Sequence, residues 1–146
     1  MANQQHIRDV MTPNPQCVTE TDSLRDVARI MKDQDTGVVP VVDGKKIIGL
    51  VTDRDIVVRC IAEGKNPLEA KVNDVMTKSV RKVKEDATIN EVLTMMSSAE
   101  IRRLPVVDRN DDLVGIVSIG DIAMEGKQDG KVGQAVEQIS QAPPNN

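Results

Sequence analysis

The sequence contains no Phe, Tyr or Trp. Proteins that bind single-stranded nucleic acid stack bases on aromatic rings, and that platform is missing. Any apolar interior must be assembled from Val, Ile, Leu, Met and Ala. Histidine occurs once, at His6, and cysteine twice, at Cys17 and Cys60. Neither the number nor the spacing of these residues makes a metal-ligand set, so no metal is expected. Two distant thiols, with no leader pattern, read as reduced residues of a cytoplasmic protein. No apolar run reaches membrane-spanning length, so no membrane partner is expected. The formal net charge is −4, the wrong sign for gripping a polymer through its phosphates, and no nucleic-acid partner is expected. A Ser/His/Asp set, a glycine-rich phosphate loop and paired pocket acids are all lacking. The chain is therefore expected not to be an enzyme and to require no cofactor.

What the chain does contain is a duplication. Asp9-Val10-Met11-Thr12 returns as Asp74-Val75-Met76-Thr77, and Pro40-Val41-Val42-Asp43 as Pro105-Val106-Val107-Asp108, both at a spacing of 65 residues (9 to 74, 40 to 105). Val18, Glu20, Val27 and Met31 recur at that spacing as Val83, Glu85, Val92 and Met96. One extra residue in the Arg109 to Asp112 loop then shifts the register. Gly49-Leu50-Val51-Thr52-Asp53-Arg54-Asp55 consequently matches Gly115-Ile116-Val117-Ser118-Ile119-Gly120-Asp121. A duplicated unit of this length predicts a pseudo-symmetric pair, in which any cleft has a counterpart.

Hydrophobic residues make up 39% of the 146, enough for the core of one compact domain built from two halves. Met1 to Gln5 reads as a polar tail, and Pro13-Asn14-Pro15 as an extended segment, because proline bars the preceding residue from helix. Cys17-Val18 can form a short strand. Leu24, Val27, Ala28 and Met31 fall at helical spacing within a helix over Ser23 to Gln34. Val38 to Val42 and Ile47 to Val51 are β-branched runs joined by the turn Asp43-Gly44-Lys45-Lys46. A helix over Asp53 to Glu63 stops at Gly64. The second half repeats the order: strand Val80 to Val83, helix Thr88 to Ser98, strands Arg103 to Val107 and Leu113 to Val117, helix Ile119 to Glu125. A last short helix is expected from Lys131 to Ser140, where Val132, Ala135, Val136 and Ile139 make one apolar stripe. That stripe can fold back on the domain or meet a second chain. Gln141 to Asn146 reads as a disordered end.

Thr52-x-x-Asp55 and Ser118-x-x-Asp121 leave strands and open helices. Their spacing is that of a capping box, shared by Ser23-x-x-Asp26 and Thr88-x-x-Glu91, so spacing alone gives them no further role. Their place does: a strand running into a helix start presents hydroxyl, amide donors and dipole at one sheet edge, where a phosphate can sit. The aspartate one turn in can accept from two neighbouring hydroxyls, as on a ribose. Arg102-Arg103 precede an apolar strand where the first half has Gly37-Val38. They are either solvated surface charge or an anion fork, offered by one half only. Asp108-Arg109-Asn110-Asp111-Asp112 fails as a calcium loop, because its sixth position is Leu113 and its twelfth Ile119; it reads as a polar turn.

On these motifs the chain resembles a tandem CBS-domain pair, or Bateman module, of the small stand-alone bacterial type, over roughly Ile7 to Glu125. The resemblance implies a mixed α/β (α+β) fold: two βαββα CBS units packed in pseudo-two-fold symmetry, plus the short C-terminal helix. The expected limits are 7–64 for the first repeat, 65–73 for a linker, 74–126 for the second repeat and 127–146 for the C-terminal helix and tail. It further implies a homodimer, and clefts between the repeats that take an adenosyl ligand, namely AMP, ADP, ATP or S-adenosylmethionine. Asp55 and Asp121 would hold ribose hydroxyls, with Thr52 and Ser118 near ribose or phosphate. Arg102 and Arg103 would contact phosphate. Thr36, Gly37, Val38, Val18, Arg81 and Val83 would line the base. The first copy departs from the pattern at Gly37-Val38, so unequal clefts are expected. The implied function is that of a non-catalytic regulatory sensor acting on a protein effector that the sequence does not identify. The alternative is a ligand-free structural or protein-interaction dimer.

Overall fold

The computed structural model describes residues 5–125, so the expected helix at 131–140 and both chain ends lie outside the described residues. In chain order the elements are β1 (Thr12–Pro13), α1 (Leu24–Gln34), β2 (Val38–Asp43), β3 (Lys46–Thr52), α2 (Asp53–Ile56), β4 (Val83–Lys84), α3 (Ile89–Ala99), β5 (Arg103–Val107), β6 (Leu113–Ser118) and α4 (Ile119–Glu125). Single 3₁₀ turns at Ile7–Asp9 and Val72–Asp74 complete the set, together with a π-helical turn at Val57–Ile61 that continues α2. α1 starts where Ser23 accepts the amide of Asp26, and α3 where Thr88 accepts that of Glu91, each removing an orphan donor of a first turn. The helix expected from Asp53 to Glu63 is thus one α-turn that widens into a π-turn. Asn14, expected to be extended, instead sits at φ 49°, a left-handed conformation that asparagine tolerates.

The chain forms two compact units. One is Pro15–Val80; the other joins the residues up to Asn14 to those from Arg81 onward. In the second unit the sheet order is β1-β6-β5-β4, with β4 parallel to β5 and the other pairs antiparallel. The first unit has the β2-β3 hairpin, flanked by a parallel bridge Val18↔Val41 and an antiparallel bridge Leu50↔Thr77. These are the same positions in miniature. Even the irregularities repeat, with a register shift at Val41/Val42 and another at Val106/Val107. The residue inserted in the second loop is absorbed by Asp108, whose Oδ1 accepts the amides of Asn110 (2.8 Å) and Asp112 (3.0 Å) in a polar turn.

Each sheet is closed at one edge by an Asp-Val-Met-Thr segment from the other end of the repeat pattern. Thr12 pairs with Ile116 in the second unit, and Thr77 bridges Leu50 in the first. The units in space are offset from the repeats in sequence by these segments. Glycine permits the approach: a Cβ on Gly49 would stand 2.7 Å from the Thr77 carbonyl oxygen. A Cβ on Gly115 would stand 3.0 Å from that of Thr12 and collide with Met11 Sδ. The 3₁₀ turns ahead of the segments drive Ile7 and Val72 wholly out of water. Asp9 and Asp74 steady those turns by accepting the amides of His6 (3.3 Å) and Lys71 (2.9 Å).

Two aliphatic cores result. Val18, Leu24, Val27, Val39, Val41, Val51 and Cys60 centre the first; Ile7, Leu93, Met96, Leu104, Val106 and Ile122 centre the second. Helices α1 and α3 both end on a non-glycine residue in the left-handed conformation, Asp35 at φ 52° and Glu100 at φ 56°. A side chain there costs about 1–2 kcal/mol, against which glycine loses about 0.5–1 kcal/mol of chain entropy. Glu100→Gly should therefore raise stability by about 0.5–1 kcal/mol, read as a higher urea midpoint at unchanged slope. An unchanged or lower midpoint would show that Glu100 carries no strain.

Candidate functional site

The motif residues gather at one edge of each sheet. Antiparallel pairing sets Val38 opposite Thr52 and Arg103 opposite Ser118. The connections just beyond tighten both edges: Asp53 N–H donates to the Gly37 carbonyl at 3.0 Å and Ile119 N–H to that of Arg102 at 2.8 Å. Thr36 Oγ1 lies 3.3 Å from both the amide and the carbonyl of Val38. The first unit thus brings together Thr36, Gly37, Val38, Thr52 and Asp55, and the second Arg102, Arg103, Ser118 and Asp121. Arg81 is exposed, two residues ahead of β4 on the side where β5 begins. Val18 and Val83 stand apart from this group. They face Val41 and Val106, three residues along β2 and β5, about 10 Å at strand rise, and their side chains are buried in the cores.

Both aspartates complete capping boxes. Asp55 Oδ2 accepts the Thr52 amide at 2.9 Å, and Thr52 Oγ1 accepts the Asp55 amide at 3.1 Å. Asp121 Oδ2 accepts the Ser118 amide at 2.9 Å, and Ser118 Oγ the Asp121 amide at 3.1 Å. Ser23-x-x-Asp26 shows only the serine half of such a box. Capping occupies one carboxylate oxygen and leaves the second to be spent elsewhere. On Asp121 the second oxygen has no hydrogen bond or ion pair among the described residues. On Asp55, only 7% exposed, it lies 3.8 Å from Arg59 Nε.

Electrostatically the two edges differ. Arg102 and Arg103 are half-buried, and among the described residues their side chains form no ion pair. At the opposite end of β5, Lys82 and Lys84 are both drawn to Asp111, at 2.7 and 3.7 Å. The second edge therefore offers unneutralised guanidinium groups where the first offers Gly37 and Val38. Elsewhere, burial pushes the Cys17 thiol up. The amide and hydroxyl of Thr88 hold the Glu91 carboxyl below its ordinary value at the start of α3.

Sequence reasoning missed Arg59. It reaches Asp55 from one helical turn onward, and its Nη1 donates to the carbonyls of Val75 and Met76, both at 3.2 Å. The i, i+4 Asp-Arg spacing was the available signal. A groove of about 570 Å³ lies at the far end of the second sheet, lined by Arg8, Lys84, Glu85, Asp86, Asp108, Arg109 and Asn110. Its charges are mixed, and none of the motif residues enters it. Among the described residues no cluster of three His, Cys, Asp or Glu side chains could hold a metal ion, and no helix is long and apolar enough to cross a membrane.

Comparison with known proteins shows what the chain is similar to. Residues 7–61 and 72–126 each match the CBS domain. YlbB of Bacillus subtilis is 42% identical over 137 residues, spanning 92% of this chain and 91% of that protein. Hypoxic response protein 1 of Mycobacterium tuberculosis is 37% identical over 117 residues, spanning 80% of this chain and 81% of its own. A crystal structure of that protein with two coordinated zinc ions is similar at a TM-score of 0.74 and 35% identity, covering 82% of this chain and 98% of its own. A crystal structure of CBSX2 in complex with AMP is similar at a TM-score of 0.71 and 26% identity, covering 86% of this chain and 98% of its own.

Proposed function

This chain belongs to the CBS-domain family, and we propose that it is a non-catalytic sensor taking an adenosyl ligand at its two motif edges. The observation that carries the reading is Asp121. One of its oxygens caps α4, the other has no partner among the described residues, and it shares that edge with Arg102 and Arg103, which form no ion pair among the described residues. A charged acceptor for ribose hydroxyls beside cations for phosphate is the chemistry of a nucleotide. The AMP bound to the similar CBSX2 supports the same ligand class. Asp55 with Thr52 supplies the equivalent acceptor in the first unit, where Gly37 and Val38 stand in place of Arg102 and Arg103 and the Asp53 carboxylate lies 3.0 Å from where a Gly37 Cβ would be. The protein acts in the cytoplasm, in keeping with the free thiols of Cys17 and Cys60, and regulates a protein effector. It does so as a homodimer: Val57, Val58 and Ile61 are 54%, 43% and 54% exposed on the helix after Asp55, an apolar face suited to a second copy.

Thermal unfolding followed with an external dye, across adenine and guanine nucleotides and S-adenosylmethionine, tests the ligand. At a hundred times its dissociation constant a ligand adds about 2.7 kcal/mol, a rise of about 5–10 °C for a chain of this size. A rise confined to adenosyl compounds is expected. A flat panel on folded protein would sink the reading and leave the interaction dimer, for which the exposed valines and isoleucine speak.

A further inference from the structure

We infer that Arg59 is the positioning residue of the Asp55 site, locking that aspartate and the Val75–Met76 carbonyls into one arrangement. The inference rests on the ligand reading above. Arg59 lies in the π-turn Val57–Ile61, where the Ala62 amide reaches back to the Val57 carbonyl at 2.8 Å. Such turns recur at functional sites because they redirect a side chain without ending the helix. Here the guanidinium Nη1 donates to two successive carbonyls, Val75 and Met76, at 3.2 Å each. Its Nε faces Asp55 Oδ1 at 3.8 Å, with the aspartate side chain 9% exposed and the arginine 50%. A guanidinium can serve both directions at once because its donors diverge from a rigid plane, which an ammonium cannot imitate.

Asp55 is consequently held at both oxygens, Oδ2 by the Thr52 amide and Oδ1 by Arg59. A ligand hydroxyl donating to Oδ1 meets an acceptor whose direction Arg59 sets. The same arginine carries any displacement of Asp55 to the carbonyls just ahead of Thr77. Thr77 exchanges hydrogen bonds of 2.8 and 2.9 Å with Leu50 and closes the sheet. In the sequence of the second repeat the matching position is Glu125. Occupancy of the first site is thus linked to the sheet-closing segment.

The test uses the full chain with AMP as probe. Asp121→Ala isolates the first site and Asp55→Ala the second. Adding Arg59→Met to the Asp121→Ala protein should weaken AMP binding by about three- to fivefold, the scale of one half-exposed ion pair. In the Asp121→Ala protein, AMP should also slow amide exchange at Leu50 and Thr77, and Arg59→Met should abolish that response. A merely structural arginine would lower the melting temperature while leaving affinity and exchange response intact, and that result overturns the inference. Should Arg59→Met not fold, Arg59→Lys keeps the charge and loses the fork. A loss of about threefold or more then supports the inference, and binding equal to that with Arg59 overturns it. AMP bound by Asp55→Ala but not by Asp121→Ala also overturns it, and leaves the ligand reading standing. AMP bound by neither single variant nor by the unaltered chain is the separate signature of a failed ligand reading, and Arg59's role falls with it.

Discussion

Gly49→Val is expected to lower folding stability by about 3 kcal/mol or more, a fall of about 10 °C in melting temperature. The expectation is unusual for an interior strand position, where valine has the better β propensity. Position 49 has a carbonyl where a side chain would begin: any Cβ would stand 2.7 Å from the oxygen of Thr77. That carbonyl accepts the Leu50 amide at 2.9 Å, and the Thr77 amide returns to Leu50 at 2.8 Å. The intruding carbon must therefore break the bridge that closes the first sheet. Gly49→Ala should produce a smaller version of the same loss, about 1–3 kcal/mol. Gly44→Ala is the control. Gly44 has φ 65° and nothing within 4 Å of where a Cβ would stand, so its penalty of about 1 kcal/mol is purely conformational. Chemical denaturation of the three variants decides the matter, and a Gly49→Val protein as stable as Gly44→Ala would refute the packing account.

Exchanging Asp121 for asparagine should separate capping from ligand recognition. The amide side chain keeps an oxygen for the Ser118 amide, now bonded at 2.9 Å, so the cost in stability should stay below about 1 kcal/mol. The charged acceptor is lost. A hydrogen bond to a charged group contributes about 1.5–3 kcal/mol, so AMP affinity at this site should fall by about ten- to a hundredfold. Calorimetric titration of Asp121→Asn beside its melting curve gives both numbers. A large loss of stability with affinity retained would assign Asp121 to the cap alone.

The duplication was legible because identical tetrapeptides at one spacing have no local explanation, and with it came the strand and helix order. β5 was read correctly to its ends, since the apolar Leu104-Pro105-Val106-Val107 is bounded by Arg103 and Asp108. α1 and α3 were equally plain, because Ser23 and Thr88 start them and an apolar stripe continues them. The short turns were not legible. Ile7–Asp9 and Val72–Asp74 are too brief for a period to register, and the π-turn at Val57–Ile61 has the same residue types as an α-helix. The residues of the candidate site were found as two motifs, yet their grouping needed the register that sets Val38 opposite Thr52 and Arg103 opposite Ser118. Arg59 escaped notice because an arginine four residues after an aspartate is commonplace on a helix surface. What marks it is the pair of carbonyls at Val75 and Met76.

By itself the sequence determined the family, the aliphatic character of both cores, and which side chains can bear charge at each motif edge. Those properties follow from residue type and from repetition. Tertiary structure alone decided that Thr12 closes the sheet of the second unit and Thr77 that of the first. It also decided that Val18 and Val83 are core residues, and that Arg59 donates to the carbonyls of Val75 and Met76. These outcomes depend on contacts between residues distant along the chain, such as Gly115 with Thr12 or Arg59 with Met76. Local propensity and period do not encode them, because they arise only when the backbone packs tightly enough for a missing side chain or a forked cation to matter.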